Sequence, residues 1–279
     1  MPHTWTYNVG EQAVQQRAGA MSRAERNASA IHTAVPGGAA AFLAEQPFVV
    51  IGAAGDEGRV WCSLVNGCPG FAHAVDEHTV RVSTRPPADD PLSAITVGSS
   101  VGMIAIEPPT RARVRFNGTV RSSVDEALLV DVDEVVANCP KHITPRDVTA
   151  GLSTREGSDS TTTVTALLTP RDVRTLTATD TLFLATVAPG AGADASHRGG
   201  PPGFVTVVSK WRVEWPDFLG NAMFLSFGNL EIDGRAGLLV VDWVTGATLQ
   251  LTGRAHVRWE PDDARTVVFD IEQVRARKG

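Results

Sequence analysis

Two stretches, SLVNGCPGF at residues 63–71 and SHRGGPPGF at residues 196–204, end in the same Pro-Gly-Phe, and only the second carries a histidine and an arginine. They belong to a longer series of matches. Phe48 matches Phe183, Gly102 matches Gly237, Thr110 matches Thr245, and Asn117-Gly118 matches Thr252-Gly253. The offset stays between 133 and 135 throughout. At a slightly larger offset Asp133-Glu134-Val135 faces Ile271-Glu272-Gln273. One such pair could be chance, but a series at a nearly fixed offset reads as a duplicated structural unit.

The unit reads as β. Residues 47–53 (PFVVIGA) form a buried-strand run, Gly55-Asp56-Glu57-Gly58 a hairpin turn, and residues 60–65 the returning strand. Residues 79–83, 101–106, 111–116 and 127–136 supply further strands, with a proline-rich loop (RPPADDP) at 85–91. Short strands punctuated by turns at this spacing predict a barrel or sandwich rather than a parallel sheet. The pattern restarts after a Ser/Thr/Gly-rich stretch at 151–163, read as a linker or exposed loop, and a short helix near 169–176.

Ahead of the repeat, residues 10–30 read as one helical segment with Val14, Ala18, Met21 and Ala24 on one face, and 39–45 as a second short helix after the PGG break. The expected organisation is a helical extension at 1–45, a first barrel at 46–150, a linker at 151–168 and a second barrel at 169–279.

The chain has 279 residues, 43% apolar and 20% charged, with a formal charge of −6 and both signs dispersed. That argues against a nucleic-acid or anionic-membrane surface, which needs clustered cations. No apolar run approaches the roughly 18 residues of a membrane span, and the start MPHTWTYNVGEQ lacks the pattern of a signal peptide. Cys62, Cys68 and Cys139 form no C-x-x-C unit, so reduced thiols in a cytoplasmic protein are expected.

Chemistry concentrates in three stretches. In Ser196-His197-Arg198-Gly199-Gly200, read as following one strand (182–187) and preceding another (204–208), Arg198 offers a planar fork for a phosphate or carboxylate. Ser196 adds a hydroxyl, and the glycines let the backbone approach a ligand. The bland alternative is a glycine-rich hairpin with a solvated arginine, because short glycine-rich stretches match by chance. In WPDFLGNAMF (215–224) the aromatic residues could flank a planar ligand while Asp217 and Asn221 bond it. Against that stands a strand end feeding a helix, with Trp215 and Phe218 in the core. Ser226 and Gly228-Asn229 read as closing that helix. In NCPKH (138–142) the Cys139 thiol lies beside Lys141 and His142, although most such cysteines are structural. His73, His78 and His256 offer no metal-ligand spacing, so no metal is expected. No nucleophile elbow, P-loop or dinucleotide fingerprint is present.

Together YNVGEQAVQQRAG (7–19), RPPADDPL (85–92), NCPKHI (138–143), SHRGGPPGF, WPDFLGNAMF, GNLEIDGRAGLLVVDW (228–243) and LQLTGRAHVRW (249–259) resemble the pyridoxamine 5′-phosphate oxidase-like flavoproteins. More narrowly, they are similar to double-barrel members with an N-terminal helical extension. The resemblance implies two tandem split β-barrels binding FMN non-covalently between them, and an FMN-dependent oxidoreductase. Cofactor-binding residues by this resemblance are Ser196, His197, Arg198, Gly200, Trp215, Pro216, Asp217, Asn221, Ser226 and Asn229. Ser196 and Arg198 would hold the phosphate, Asn221 and Ser226 would lie nearby, and Trp215, Pro216 and Asp217 would follow the flavin edge. The first barrel would add Ser63, Asn66 or Arg115 and its 63–71 stretch would be the opposite wall, with Gln250 and Trp259 as further candidates.

The chain lacks the Leu-Lys and Ser-Arg-Lys pattern and the C-terminal substrate residues of true pyridoxamine phosphate oxidases, which puts vitamin B6 oxidation last among the activities. The first repeat has no counterpart of Arg198, so one flavin per chain is expected. No general acid or base is assigned; His197 and Cys139 are the chemically suitable residues near these motifs. Expected partners are a small-molecule substrate or electron donor, with a homodimer as one candidate assembly. The alternatives are a non-catalytic flavin-binding or electron-relay protein, or a split barrel holding haem or deazaflavin.

Overall fold

A computed structural model of the chain describes residues 6–124, 127–137, 140–148, 152, 161–261 and 264–279. The first half contains α1 (Val9–Arg17), α2 (Met21–Asn27), β1 (Ile31–His32), α3 (Gly37–Glu45) and β2 (Phe48–Ala54). It continues with β3 (Val60–Asn66), β4 (Ala72–Ala74), β5 (Thr79–Val82), β6 (Ser100–Glu107), β7 (Ala112–Val124) and β8 (Ala127–Ala137). The second half runs β9 (Thr162–Thr165), α4 (Pro170–Ala178), β10 (Thr181–Ala188), β11 (Gly192–Gly199), β12 (Thr206–Ser209) and β13 (Arg212–Pro216). It ends with α5 (Leu225–Ile232), β14 (Arg235–Val241), β15 (Thr248–Trp259) and β16 (Arg265–Arg277).

The strands form two eight-stranded antiparallel sheets. Their orders are β3-β2-β6-β7-β8-β5-β4, with β1 on β8, and β11-β10-β14-β15-β16-β13-β12, with β9 on β16. Position for position these are one topology used twice, and neither sheet closes on itself among the described residues.

The repeat extends to irregularities. Both copies bulge at the matched dipeptides, between Asn117 and Gly118 and between Thr252 and Gly253. A Cβ on Gly118 would lie 2.0 Å from the Asp131 carbonyl oxygen, and one on Gly253 1.9 Å from that of Asp270, so each bulge requires glycine. The register also corrects two matches. Ser63 pairs with Ile51 and Ser196 with Leu184, which makes Thr181 rather than Phe183 the counterpart of Phe48. Glu134 pairs with Asn117 and Gln273 with Thr252, so the counterpart of Glu134 is Gln273, one residue beyond the sequence match.

The continuous apolar runs in β2, β3, β6 and β10 follow from burial on both faces. In β2, Val49, Ile51 and Ala53 fill the first sheet's own core, while Phe48 and Val50 face the second unit. In β10 the roles divide likewise, Leu182 and Leu184 inward and Phe183 and Ala185 across the junction. Trp243 joins Phe48 and Phe183 there, with ring centroids 5.2 and 6.5 Å away. The two sheets meet closely because small residues line the contact. A Cβ on Gly102 would sit 2.4 Å from the Ala195 nitrogen, and one on Gly52 2.5 Å from the Ala185 Cβ.

Four local expectations are corrected. The N-terminal segment is two helices and a 3-10 turn rather than one helix, because Gly19 takes a left-handed φ of +58°. The stretch from Ser196 to Gly199 is the end of strand β11 rather than a loop between strands, paired residue by residue with β10. Ser226, Gly228 and Asn229 lie inside α5, which starts at Leu225, instead of closing a preceding helix. Most of the 151–163 stretch lies outside the described residues, but Thr162–Thr165 is an edge strand on β16 rather than a connection. No helix among the described residues is long and apolar enough to cross a membrane.

Candidate functional site

Along β7 side chains alternate between the two faces, so Arg113, Arg115 and Asn117 share one, and that face meets β11 of the other unit. Arg115 Nη1 donates to Asp194 Oδ1 and Oδ2 at 3.1 and 3.2 Å. Asn117 Nδ2 adds a 3.2 Å bond to Oδ1, and Ser226 Oγ donates to Oδ2 at 2.5 Å. Asp194 is thus a buried hub tying β7, β11 and α5 together.

Above this hub lies a cavity of about 250 Å³. Arg113 and Arg115 of β7 and Lys141 and His142 beyond β8 form one wall; His197, Arg198 and Gly199 of β11 form another. The segment from Pro216 to Ala222, the first residues of α5 and Arg265 of β16 complete it. The volume is just below the range of about 300–1,000 Å³ usual for small-molecule sites, and Lys141 and His142 are exposed at its mouth.

The 217–224 strap is shaped by left-handed φ angles at two non-glycine residues, 64° at Ala222 and 59° at Phe224. Such angles persist where surroundings hold them, and here the N-terminal helices do so. Asn27 Nδ2 donates to the Asn221 carbonyl at 2.6 Å, and Gln15 Nε2 to that of Met223 at 3.1 Å. The helix α1 can press on α5 because Gly10 faces Gly228; a Cβ on Gly10 would lie 2.1 Å from the Gly228 oxygen. At the mouth Phe218 stacks on His142, centroids 4.8 Å apart and planes 16° from parallel.

Charge in the cavity is lopsided. Among the described residues, five arginines (23, 113, 115, 198, 265) and Lys141 line it, against the single acid Asp217. Arg265 Nε donates to Asp217 Oδ2 at 2.8 Å and Arg198 Nη1 to Oδ1 at 3.4 Å, so one carboxylate is shared by two guanidinium groups. Arg198 also lies over the Phe227 ring at 4.9 Å and Arg265 over that of Phe224 at 5.3 Å. Burial first, then the charges of Arg113, Arg198 and Arg115, hold His197 well below the usual histidine range, so it is neutral near pH 7. Its Nδ1 lies 2.8 Å from Arg113 Nη1, a group that can only donate. The ring proton therefore sits on Nε2, which is buried with no hydrogen-bond partner among the described residues, as is Arg198 Nε.

Of the residues singled out in the sequence, His197, Arg198, Pro216, Asp217, Asn221 and Ser226 line the cavity, as does Arg115 from the first unit. Ser196, Gly200, Trp215 and Asn229 do not line it. Ser196 is fully buried behind Ser226, the two hydroxyl oxygens 2.9 Å apart. Asn229 Nδ2 donates to Thr186 Oγ1 at 3.2 Å inside the fold. Trp215 is a core residue of the second sheet, as the bland reading had it, whereas Phe218 is 37% exposed at the cavity. Ser63 and Gln250 meet each other elsewhere, at 2.9 Å, so the 63–71 stretch is not the opposite wall; β7 is. Neither Asn66 nor Trp259 lines the cavity, although the Trp259 ring stacks against Arg265 at 5.6 Å. Cys139 lies outside the described residues.

Arg113, Arg265, Arg23 and Asp194 were missed. Arg113 and Arg115 alternate with apolar residues along RARVRF, a pair of cations on one strand face that period-two reading could have found. Asp194, a lone acid in a buried strand, was the other signal.

No protein-family model matches the chain, and no curated protein matches it. Solved structures do. A candidate pyridoxamine 5′-phosphate oxidase from Lactobacillus delbrueckii is 20% identical, with 39% of this chain and 94% of that one covered and a TM-score of 0.31. A FAD-binding protein from Mesorhizobium loti is 14% identical, with 44% and 99% covered and a TM-score of 0.31. A FAD binding protein from Mycobacterium smegmatis is 11% identical, with 43% and 100% covered and a TM-score of 0.30. Likenesses this remote assign neither ligand nor reaction.

Proposed function

We propose that the cavity between β7 and β11 binds FMN and that the chain is an FMN-dependent oxidoreductase of the pyridoxamine 5′-phosphate oxidase-like group. One observation carries this reading: a walled cavity lined by five arginines and Lys141 against one acid, Asp217, among the described residues. Guanidinium groups gathered around one carboxylate favour an anion with several acceptor oxygens. The residues therefore fit a phosphate-bearing, acceptor-rich ligand, and the motif resemblance specifies FMN.

In this reading Arg198 and Arg113 hold the phosphate, with the Ser226 hydroxyl beside it in place of the more deeply buried Ser196. Asp217 orients Arg198 and Arg265. Neutral His197 is held from acting as a base, since its Nδ1 lone pair is taken by Arg113. Phe218 and the strap keep water from that end. When bound, the flavin supplies the hydride or electron chemistry while the protein supplies binding and orientation. Substrate or electron donor would enter at the mouth beside Lys141 and His142. Free Cys62 and Cys68 suit a reducing compartment, the cytoplasm.

The visible spectrum of the purified protein is the first test. Oxidised-flavin bands support the reading, a Soret band replaces it with haem, and a colourless preparation removes FMN from it. Arg198→Ala should then weaken FMN binding by about 2–5 kcal/mol, the usual cost of removing one partner of a buried charged pair. Unchanged retention would remove Arg198 from the phosphate site.

A further inference from the structure

The duplicated lattice makes a second cavity position calculable. Ser63 corresponds in register to Ser196, and Ile104 with its partner Arg115 corresponds to Leu239 with Gln250. Where β11 of the second unit meets β7 of the first there is the cavity described above. Its mirror position is where β3 meets β15, at Ser63 and Gln250. Only about 10 Å³ remains open there, bounded by Leu64, Pro87, Asp89, Asp90, Thr248, Gln250 and their neighbours.

A carboxylate fills it. The loop between β5 and β6 turns inward, and Asp90 accepts three hydrogen bonds: Ser63 Oγ at 2.6 Å, Leu92 N at 2.8 Å and Gln250 Nε2 at 3.0 Å. Gln250 Nε2 also lies 2.9 Å from Ser63 Oγ and 3.1 Å from the Cys62 carbonyl oxygen, which share its remaining hydrogen. Arg275 reaches over the loop to the Asp89 carbonyl oxygen. The corresponding β13–β14 connection carries the strap and α5, which leave a cavity open above Ser226.

We propose that the first unit retains a small anion site at Ser63, Leu92 N and Gln250, and that the chain occupies it with its own Asp90 carboxylate. The ligand class is a small carboxylate. Three donors converge on one planar anion, and the cationic position Arg115 of the other site is here the neutral Gln250, which suits a single negative charge. The loop residues Pro87 to Asp90 are thus a built-in ligand that also joins the two units, since Ser63 and Gln250 come from different sheets.

Asp90→Gly removes a side chain equivalent to acetate. In the purified full-length variant, 100 mM sodium acetate should raise the thermal midpoint by roughly 3 °C over equimolar sodium chloride, as expected for a ligand binding the native state at about ten times its dissociation constant. Wild-type protein should show no such shift. An equal shift in both proteins, or none in the variant, overturns the proposal. Asp90→Asn keeps the volume but turns an amide toward the Gln250 amide; it should fold, lose several degrees of midpoint and ignore acetate. An unchanged midpoint in Asp90→Asn also overturns it, and that arm stands even where the glycine variant fails to fold.

Discussion

Replacing Asp194 by asparagine tests the junction on which the candidate site is built. The carboxylate takes two contacts from Arg115 Nη1, one from Asn117 Nδ2 and one from Ser226 Oγ. The Arg115 and Asp194 side chains are 11% and 2% exposed. Asparagine preserves the shape, but its NH₂ group must face donors, and the Arg115 charge loses its counter-charge inside the protein. Breaking one side of such a buried pair costs about 3–5 kcal/mol. For a protein of this size that is a fall of roughly 10 °C in Tm. Urea unfolding followed by tryptophan fluorescence should show a lower midpoint with an unchanged slope, because the surface exposed on unfolding is the same. A double-mutant cycle with Arg115→Met isolates the pair: the double variant should be less destabilised than the sum of the singles, with a coupling of about 1.5 kcal/mol or more. A loss under about 1 kcal/mol for Asp194→Asn, or strict additivity with Arg115→Met, would refute the hub.

Gly102→Val should cost more than about 3 kcal/mol, because its Cβ would meet backbone atoms of Ala195 and Asp194 at 2.4–2.6 Å and force the sheets apart. Gly38→Ala, in α3 with nothing within 4 Å of its Cβ, should instead stabilise by about 0.5 kcal/mol; thermal midpoints decide both. Burial, opposed in part by the Asn8 amide and reinforced by the Asp194 charge, pushes Glu11 from 4.5 up to about 7. The native chain therefore holds a proton there that the unfolded chain releases between those values. Stability from this group is full below pH 4.5 and is lost as pH rises to about 7, a difference of about 3 kcal/mol. Buried Glu134, raised in the same direction mainly by burial, adds to this slope. Glu11→Gln keeps the capping box with Asn8 and should flatten the dependence of the urea midpoint between pH 5 and pH 8; an unaltered slope would show that Glu11 ionises normally.

The amino-acid sequence by itself determined the architecture, because fold information is local and was written twice. The Pro-Gly-Phe turns recur with glycine φ of 95° at Gly70 and 90° at Gly203. The bulges recur at Gly118 and Gly253. Each feature is readable from a few neighbouring residues. It also marked Arg198 and Asp217, whose motif carries an unusual cation and acid. Which residues share a cavity was decided only in three dimensions. Arg115 meets Asp194 and Arg113 meets His197 because two sheets pack face to face through Gly52, Gly102 and Ala185, and strand alternation then aims those side chains at one another. No spacing along the chain encodes that convergence. The same packing put Ser63 and Gln250 around Asp90 instead of around a ligand, so identical topologies hold an open cavity on one side and a filled one on the other. The difference lies in the two connecting segments: the one before β6 is anchored inward by the Asp90 carboxylate, and the one before β14 is held away by α1 and α2.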